Sequence, residues 1–151
     1  MQIEYTKTNL FYMEEQYILH GVNCVGVMGA GVAKAIRSKF PEVYKEYKSL
    51  CTEYKDNLSE LLGTVQAVES KDKIILNAFT QLKTGSGVQV DYNAVRHCFK
   101  LVNEKAKELG ISRIGMPKLG AGLGGGDWSV IEQIITEEST NFIPVISEFT
   151  K

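Results

Sequence analysis

The chain has 151 residues, 44% of them hydrophobic and 23% charged, which suits one globular domain with a core of its own. Seventeen basic residues face eighteen acidic ones for a net charge of -1, which excludes a general electrostatic grip on nucleic acid or an anionic membrane and leaves room only for a local basic site. No stretch approaches the roughly 20 apolar residues that span a bilayer, and the first ten residues, with Glu4 and Lys7, do not read as a secretion signal.

In chain order, Ile3 and Tyr5 alternate with polar neighbours as a short strand or sheet edge. Residues 16–23 form an apolar run with β-branched and aromatic side chains, the mark of a buried strand. A glycine-bearing loop follows at 26–31, and then Val32, Ala33, Ile36 and Phe40 recur at helical spacing. Pro41 ends that helix and suits the first turn of the next, where Val43, Tyr47, Leu50, Cys51 and Tyr54 mark one face. Residues 64–69 and 73–79 read as two strands joined by a polar turn at Ser70-Lys71-Asp72. Asp91 is placed to N-cap a long helix that buries Ala94, Val95, Cys98, Val102, Ala106 and Leu109, and Gly110 is its natural stop. A strand at Arg113–Met116, a second glycine loop at 119–126, a helix starting near Asp127 and a strand at 142–146 complete the chain. Strands alternating with helices predict a single domain over 1–151, a three-layer α/β/α sandwich with a mixed, largely parallel central sheet. The hairpin-like step at 64–79 is the reason to expect a mixed sheet.

Cys24, Cys51 and Cys98 are odd in number and show no CxxC spacing, so no disulfide framework and a reducing cytoplasm are expected. Cys51 and Cys98 read as small buried hydrophobes. With His20 and His97 the cysteines make no recognised zinc spacing, and no metal or other cofactor is expected.

The two glycine loops carry the functional signal. Gly120, Gly122, Gly124, Gly125 and Gly126 place five residues without side chains in seven positions. Ordering glycine costs backbone entropy, so this density calls for a reason. One reason is close approach of main-chain N–H groups to an anion at a helix N-terminus; the other is a flexible turn. Both loops leave strands and enter helices, so both belong at the carboxyl edge of the sheet, where open α/β folds bind ligands. Neither matches GxxxxGK[ST], which disfavours a Walker-type ATPase, and Gly26, Gly29 and Gly31 do not make GxGxxG. Two facing loops suggest a diphosphate held between them. His20, near the end of the buried strand, suits acid–base work near neutral pH or a structural hydrogen bond. Asp127 reads as an N-cap with a catalytic role as the alternative, Trp128 as a core or anchoring aromatic, and His97 as a surface residue.

Taken together, Leu19-His-Gly-Val-Asn-Cys-Val-Gly-Val-Met-Gly-Ala-Gly-Val-Ala33 and Gly115-Met-Pro-Lys-Leu-Gly-Ala-Gly-Leu-Gly-Gly-Gly-Asp-Trp128 resemble the two loops of a macrodomain, an ADP-ribose-binding module, and the likeness runs over essentially the whole chain. The branch it resembles includes fungal-type ADP-ribose 1''-phosphate phosphatases, glutamate-directed ADP-ribosyl hydrolases and the antitoxin that strips ADP-ribose from DNA. The resemblance implies that Asn23 contacts the distal ribose and that Gly29, Ala30, Gly31 and Val32 border the distal ribose and diphosphate. Leu119, Gly120, Ala121, Gly122, Leu123, Gly124, Gly125 and Gly126 match the diphosphate loop. Asn9, followed by Leu10, falls where the family has an aspartate for the adenine amino group; asparagine still accepts there but carries no charge. Phe79 to Gln81 match the strand end flanking the site.

Two departures bear on the chemistry. The adduct hydrolases carry a lysine where this chain has Gln81, with Lys83 two residues later, and the glutamate hydrolases carry an acid near Gly124. His20 matches a histidine of the fungal-type phosphatases, three residues before the ribose asparagine. The resemblance therefore implies an ADP-ribose binder that hydrolyses the 1''-phosphate, with His20 and Asn23 as the catalytic pair. The alternatives are an ADP-ribosyl hydrolase acting on protein or DNA, and a non-catalytic reader or sponge of ADP-ribose or an NAD-derived nucleotide. The expected partner is ADP-ribose or a derivative, with no membrane, nucleic acid only as an ADP-ribosylated substrate, and a monomeric protein.

Overall fold

The computed structural model describes residues 2–85, 87–121 and 124–149. Six strands form one sheet: β1 (Glu4–Thr6), β2 (Tyr17–Asn23), β3 (Val65–Ser70), β4 (Lys73–Gln81), β5 (Arg113–Met116) and β6 (Ile143–Ser147), in the order β1-β6-β5-β2-β4-β3. Among these six strands only the β3–β4 pairing is antiparallel, so the expected mixed, mostly parallel sheet is what the chain forms. Among the described residues four α-helices connect the strands: α1 (Gly31–Lys39), α2 (Pro41–Glu53), α3 (Tyr92–Leu109) and α4 (Trp128–Glu138). Short 3-10 turns at Leu10–Tyr12 and Leu58–Glu60 were not predicted; neither is long enough to show a period in sequence.

Local chemistry sets the element ends. Pro41 occupies the first turn of α2, where its missing N–H removes no helical bond. Asp91 caps α3 by accepting from Ala94 N at 2.9 Å, and Gly110 closes it in the left-handed region at φ +71°. The chain runs β4 two residues past the expected end at Phe79, because Asn23 pairs with Gln81 across a bulge at Val22/Asn23.

The core lies on both faces of the sheet. Leu19, Val95, Phe99, Ile114, Ile131 and Ile135 pack under α3 and α4. Ile18, Val22, Ile36, Val43, Tyr47, Ile75 and Phe79 pack under α1 and α2. Covered on both sides, β2 reads as a nearly continuous apolar run. His20 and Asn23 on β2, Asn77 and Thr80 on β4 and Ser70 on β3 are buried and polar. The topology places β2 between β5 and β4 with all three parallel, so their carboxyl ends and the loops after them share one edge. Among the described residues no helix is long and apolar enough to cross a membrane.

Candidate functional site

A cavity of about 520 Å³ opens at that edge, within the usual range for a small-molecule site. Both glycine loops line it. His20, Asn23, Gly29, Ala30, Gly31 and Val32 contribute from β2 and the first loop, and Leu119, Gly120 and Gly124 from the second.

The first loop is held in shape by Asn23. Its Oδ1 accepts from Val25 N at 3.1 Å and Val27 N at 3.3 Å, and its Nδ2 donates to Val27 O at 2.8 Å. This is the Asx turn that short amides favour. The buried Tyr47 hydroxyl reaches up from α2 to Asn23 O at 2.8 Å and Oδ1 at 2.7 Å. In sequence Tyr47 marks only a helix face, since nothing there pairs it with Asn23 across the fold.

The loop delivers the chain into α1 without a cap. Ala30 is its N-cap residue and has no side chain to accept from the first turn. The first amides of a helix have no partner within it, and the helix dipole makes that end positive. Here this end faces the cavity through Ala30, Gly31, Val32 and Ala33. α4 differs. Asp127 Oδ1 accepts from Ser129 N at 2.9 Å and Ser129 Oγ at 2.7 Å, and those bonds hold its carboxyl below the usual range. The carboxylate thus occupies the α4 terminus as the cap that the sequence suggested. The two helix starts are not equivalent, and only that of α1 is left open to an anion.

The second loop packs on itself and on the segment before α3. Gly124 O accepts from Gln89 N at 2.8 Å and Val90 N at 3.1 Å, and Gly126 N donates to Gly120 O at 2.8 Å. A Cβ on Gly126 would lie 2.5 Å from Val90 Cγ1 and 2.7 Å from Gly120 O. Part of the glycine density is therefore a packing requirement rather than a ligand requirement. Gly126→Ala is expected to lower stability by about 1–3 kcal/mol, as overpacking does, read as a lower denaturant midpoint. An unshifted midpoint would contradict this packing.

His20 is 1% exposed. Its Nε2 lies 2.6 Å from Asn77 Oδ1, and its Nδ1 is buried with no hydrogen-bond partner among the described residues. Burial depresses its pKa to about 4, against the opposing pull of the Asn77 bond, so the ring is neutral near pH 7. A neutral ring whose Nε2 is engaged offers the site an acceptor and not a proton. Of the two roles expected of His20, acid and base, a neutral ring fits only the second.

Other predicted residues sit elsewhere. Phe79, expected beside the ligand, is fully buried on the α1/α2 face, its ring centroid 6.0 Å from that of Tyr47, and does not line the cavity. Alternation along β4 sends Phe79 into the core and its neighbour Thr80 to the other face. Asn9 Oδ1 accepts from Phe11 N at 3.0 Å and starts the 3-10 turn in which Leu10 is buried. Neither residue lines the cavity, nor do Ala121, Gly125 and Gly126. Gly122 and Leu123 lie outside the described residues. Thr80, within the Phe79–Gln81 stretch, Pro117 and Lys118, within the second motif, and Thr84, which no motif contains, also line the cavity. The signal for them was positional: each lies at or just past the carboxyl end of a central strand. Gln81 lines the cavity and donates from Nε2 to Lys83 O at 2.8 Å, whereas Lys83 is exposed and does not line it. All three cysteines are free and buried, and burial pushes the Cys24 and Cys98 thiols up to about 12, so neither serves as a nucleophile.

Comparison with known proteins gives one family. Residues 19–135 match the Macro domain. An uncharacterised 17.5 kDa protein of Enterobacteria phage T4 is 31% identical over 99% of this chain and 97% of its own length. A DNA ADP-ribosyl glycohydrolase of Mycobacterium tuberculosis is 26% identical over 87% of this chain but only 37% of its own length. An ADP-ribose 1''-phosphate phosphatase of Meyerozyma guilliermondii is 26% identical over 89% of this chain and 92% of its own. Among solved structures, a Bacteroides thetaiotaomicron protein of unknown function superposes with a TM-score of 0.86 at 27% identity, over 97% of this chain and 98% of that one. Thermosipho africanus DarTG in complex with ADP-ribose shares the fold at a TM-score of 0.79 and 22% identity, over 97% of this chain and 42% of that one.

Proposed function

We propose, since the chain belongs to the Macro domain family, that it binds ADP-ribose in the cavity between its glycine loops and hydrolyses the phosphate monoester of ADP-ribose 1''-phosphate. The observation that carries this reading is the uncapped start of α1 facing the second loop across the cavity, with His20 in the wall between them. Amides of the first α1 turn take the diphosphate, and the second loop closes on its other side. Asn23 has two amide hydrogens, and Val27 O takes one of them. The other is directed in this reading to the distal ribose.

In the reaction, a water oxygen attacks the 1''-phosphorus and the bond from phosphorus to the ribose oxygen breaks, giving ADP-ribose and inorganic phosphate. The water proton goes to His20 Nδ1, and the leaving oxygen takes its proton from solvent. The burial that keeps His20 neutral also makes it a weak base, so its contribution belongs near the low end of the roughly 10²–10⁴-fold range for general bases. Hydrogen bonds from the α1 amides hold the substrate while this occurs.

The ADP-ribosyl hydrolase reading is favoured by the likeness to the glycohydrolase and would route catalysis through Lys83. The exposed position of Lys83 weighs against it.

Incubation with ADP-ribose 1''-phosphate is expected to release phosphate, and His20→Ala is expected to slow release about 100-fold while ADP-ribose still binds. Binding without phosphate release would overturn the phosphatase reading in favour of a reader. Release of ADP-ribose from modified protein or DNA, lost in Lys83→Ala, would favour the adduct hydrolase.

A further inference from the structure

A row of three polar side chains crosses the sheet beneath the site. His20 on β2 is in register with Asn77 on β4, and Asn77 is in register with Gln66 on β3, so the three project from one face. They are joined end to end. Gln66 Nε2 lies 3.2 Å from Glu46 O, Asn77 Nδ2 lies 3.0 Å from Gln66 Oε1, and His20 Nε2 lies 2.6 Å from Asn77 Oδ1.

The outer end of this chain sets the direction of every bond in it. A backbone carbonyl only accepts, so Glu46 O requires the amide nitrogen of Gln66. That turns Gln66 Oε1 toward Asn77, which must answer with Nδ2. Asn77 Oδ1 is then left facing His20, which must donate from Nε2. A neutral imidazole carries one N–H, so the proton on Nε2 leaves Nδ1 with a bare lone pair. This is the buried nitrogen that has no hydrogen-bond partner among the described residues.

We infer that Asn77 and Gln66 are positioning residues that hold His20 as its Nε2–H tautomer and so present Nδ1 as the acceptor for the water proton. The inference rests on the phosphatase reading for its consequence but not for its geometry. Neither Asn77 nor Gln66 lines the cavity, so they act only through His20. Gln66 reaches the α2 surface, which makes it the point at which the relay can be reversed with least disturbance to the core.

Two substitutions there have opposite expectations. Gln66→Glu gives up the bond to Glu46 O, but it offers Asn77 an acceptor, as glutamine does, and so keeps the direction of the two inner bonds. Gln66→Lys offers only a donor. Asn77 then turns over to accept it, presents Nδ2 to His20, and forces the proton onto Nδ1. Ring-¹⁵N spectra at pH 7, recorded in a His97→Gln background so that His20 is the one histidine observed, read the tautomer directly. The parent and Gln66→Glu are expected to show a protonated Nε2 and a bare Nδ1, and Gln66→Lys the reverse. For phosphate release, Gln66→Lys is expected to lower kcat at least tenfold with KM unchanged, while Gln66→Glu keeps most of it. An unchanged tautomer in Gln66→Lys overturns the relay. A switched tautomer with an unchanged kcat overturns its role in the reaction. A parent protein that releases no phosphate overturns the phosphatase reading instead, and the spectra still decide the relay.

Discussion

Ala30→Asp is expected to weaken ADP-ribose binding roughly 100-fold while making the protein more stable. Ala30 is the N-cap residue of α1, in an extended conformation (φ -155°, ψ 162°), and makes no side-chain cap bond. An aspartate there would accept from the first-turn amides, worth about 0.5–2 kcal/mol to the helix. It would also occupy the donors proposed for the diphosphate and set a negative charge beside it. Charge-assisted hydrogen bonds are worth about 1.5–3 kcal/mol each, so losing one or two removes roughly 3 kcal/mol of affinity, or about two decades in Kd. Ala30→Ser separates the two effects, because serine competes for the donors but adds no charge; it should stabilise similarly and weaken binding less. Calorimetric titration with thermal melts checks both. A variant more stable than the parent that binds ADP-ribose equally well would mean that the α1 amides do not hold the ligand.

Below pH 6.5 the protein is expected to lose about 3 kcal/mol of stability through His20 alone. Its folded-state pKa lies near 4 against an ordinary value of 6.5, because burial disfavours the charged ring. Above pH 6.5 the ring is neutral in both states, and its titration contributes nothing. As pH falls through that value the unfolded chain takes up a proton that the folded chain refuses, so stability drops by about 1.4 kcal/mol per unit until the folded pKa is reached. Carboxylates titrate in the lower part of this range too, so the comparison is with His20→Gln. The parent and variant curves of unfolding free energy against pH should run parallel above 6.5 and diverge between 6.5 and 4, with the parent falling more steeply. Parallel curves throughout would mean that the ring is not buried neutral.

Much of the fold was legible because its signals are local. Asp91, Gly110, Pro41 and Asp127 mark helix ends by chemistry confined to one turn, and each does in the fold what its side chain suggested. Strand order was not legible, since no residue in β2 records that β4 and β5 will be its neighbours. The site divides in the same way. The first loop and the start of α1 are read from a run of small residues before a helical period, and the cavity contains them. Gly124 and Gly126 were noticed for the right property but with an incomplete cause, because Val90 and Gly120 O, which exclude a Cβ at Gly126, are close only in the folded chain. Asn77 and Gln66 carry no signal in sequence, and Tyr47 shows only as one residue of a helix face. Each looks like an ordinary helix or strand residue, and each matters through a bond to a residue at least 11 positions away.

Isothermal titration of the unsubstituted protein with ADP-ribose, followed by a crystal soak, bears most directly on the claim that α1's open amides and the second loop enclose a diphosphate. Saturable heat, with the pyrophosphate seated between Gly29–Val32 on one side and Leu119, Gly120 and Gly124 on the other, is the predicted result. No measurable heat, or a nucleotide bound away from these loops, would contradict it.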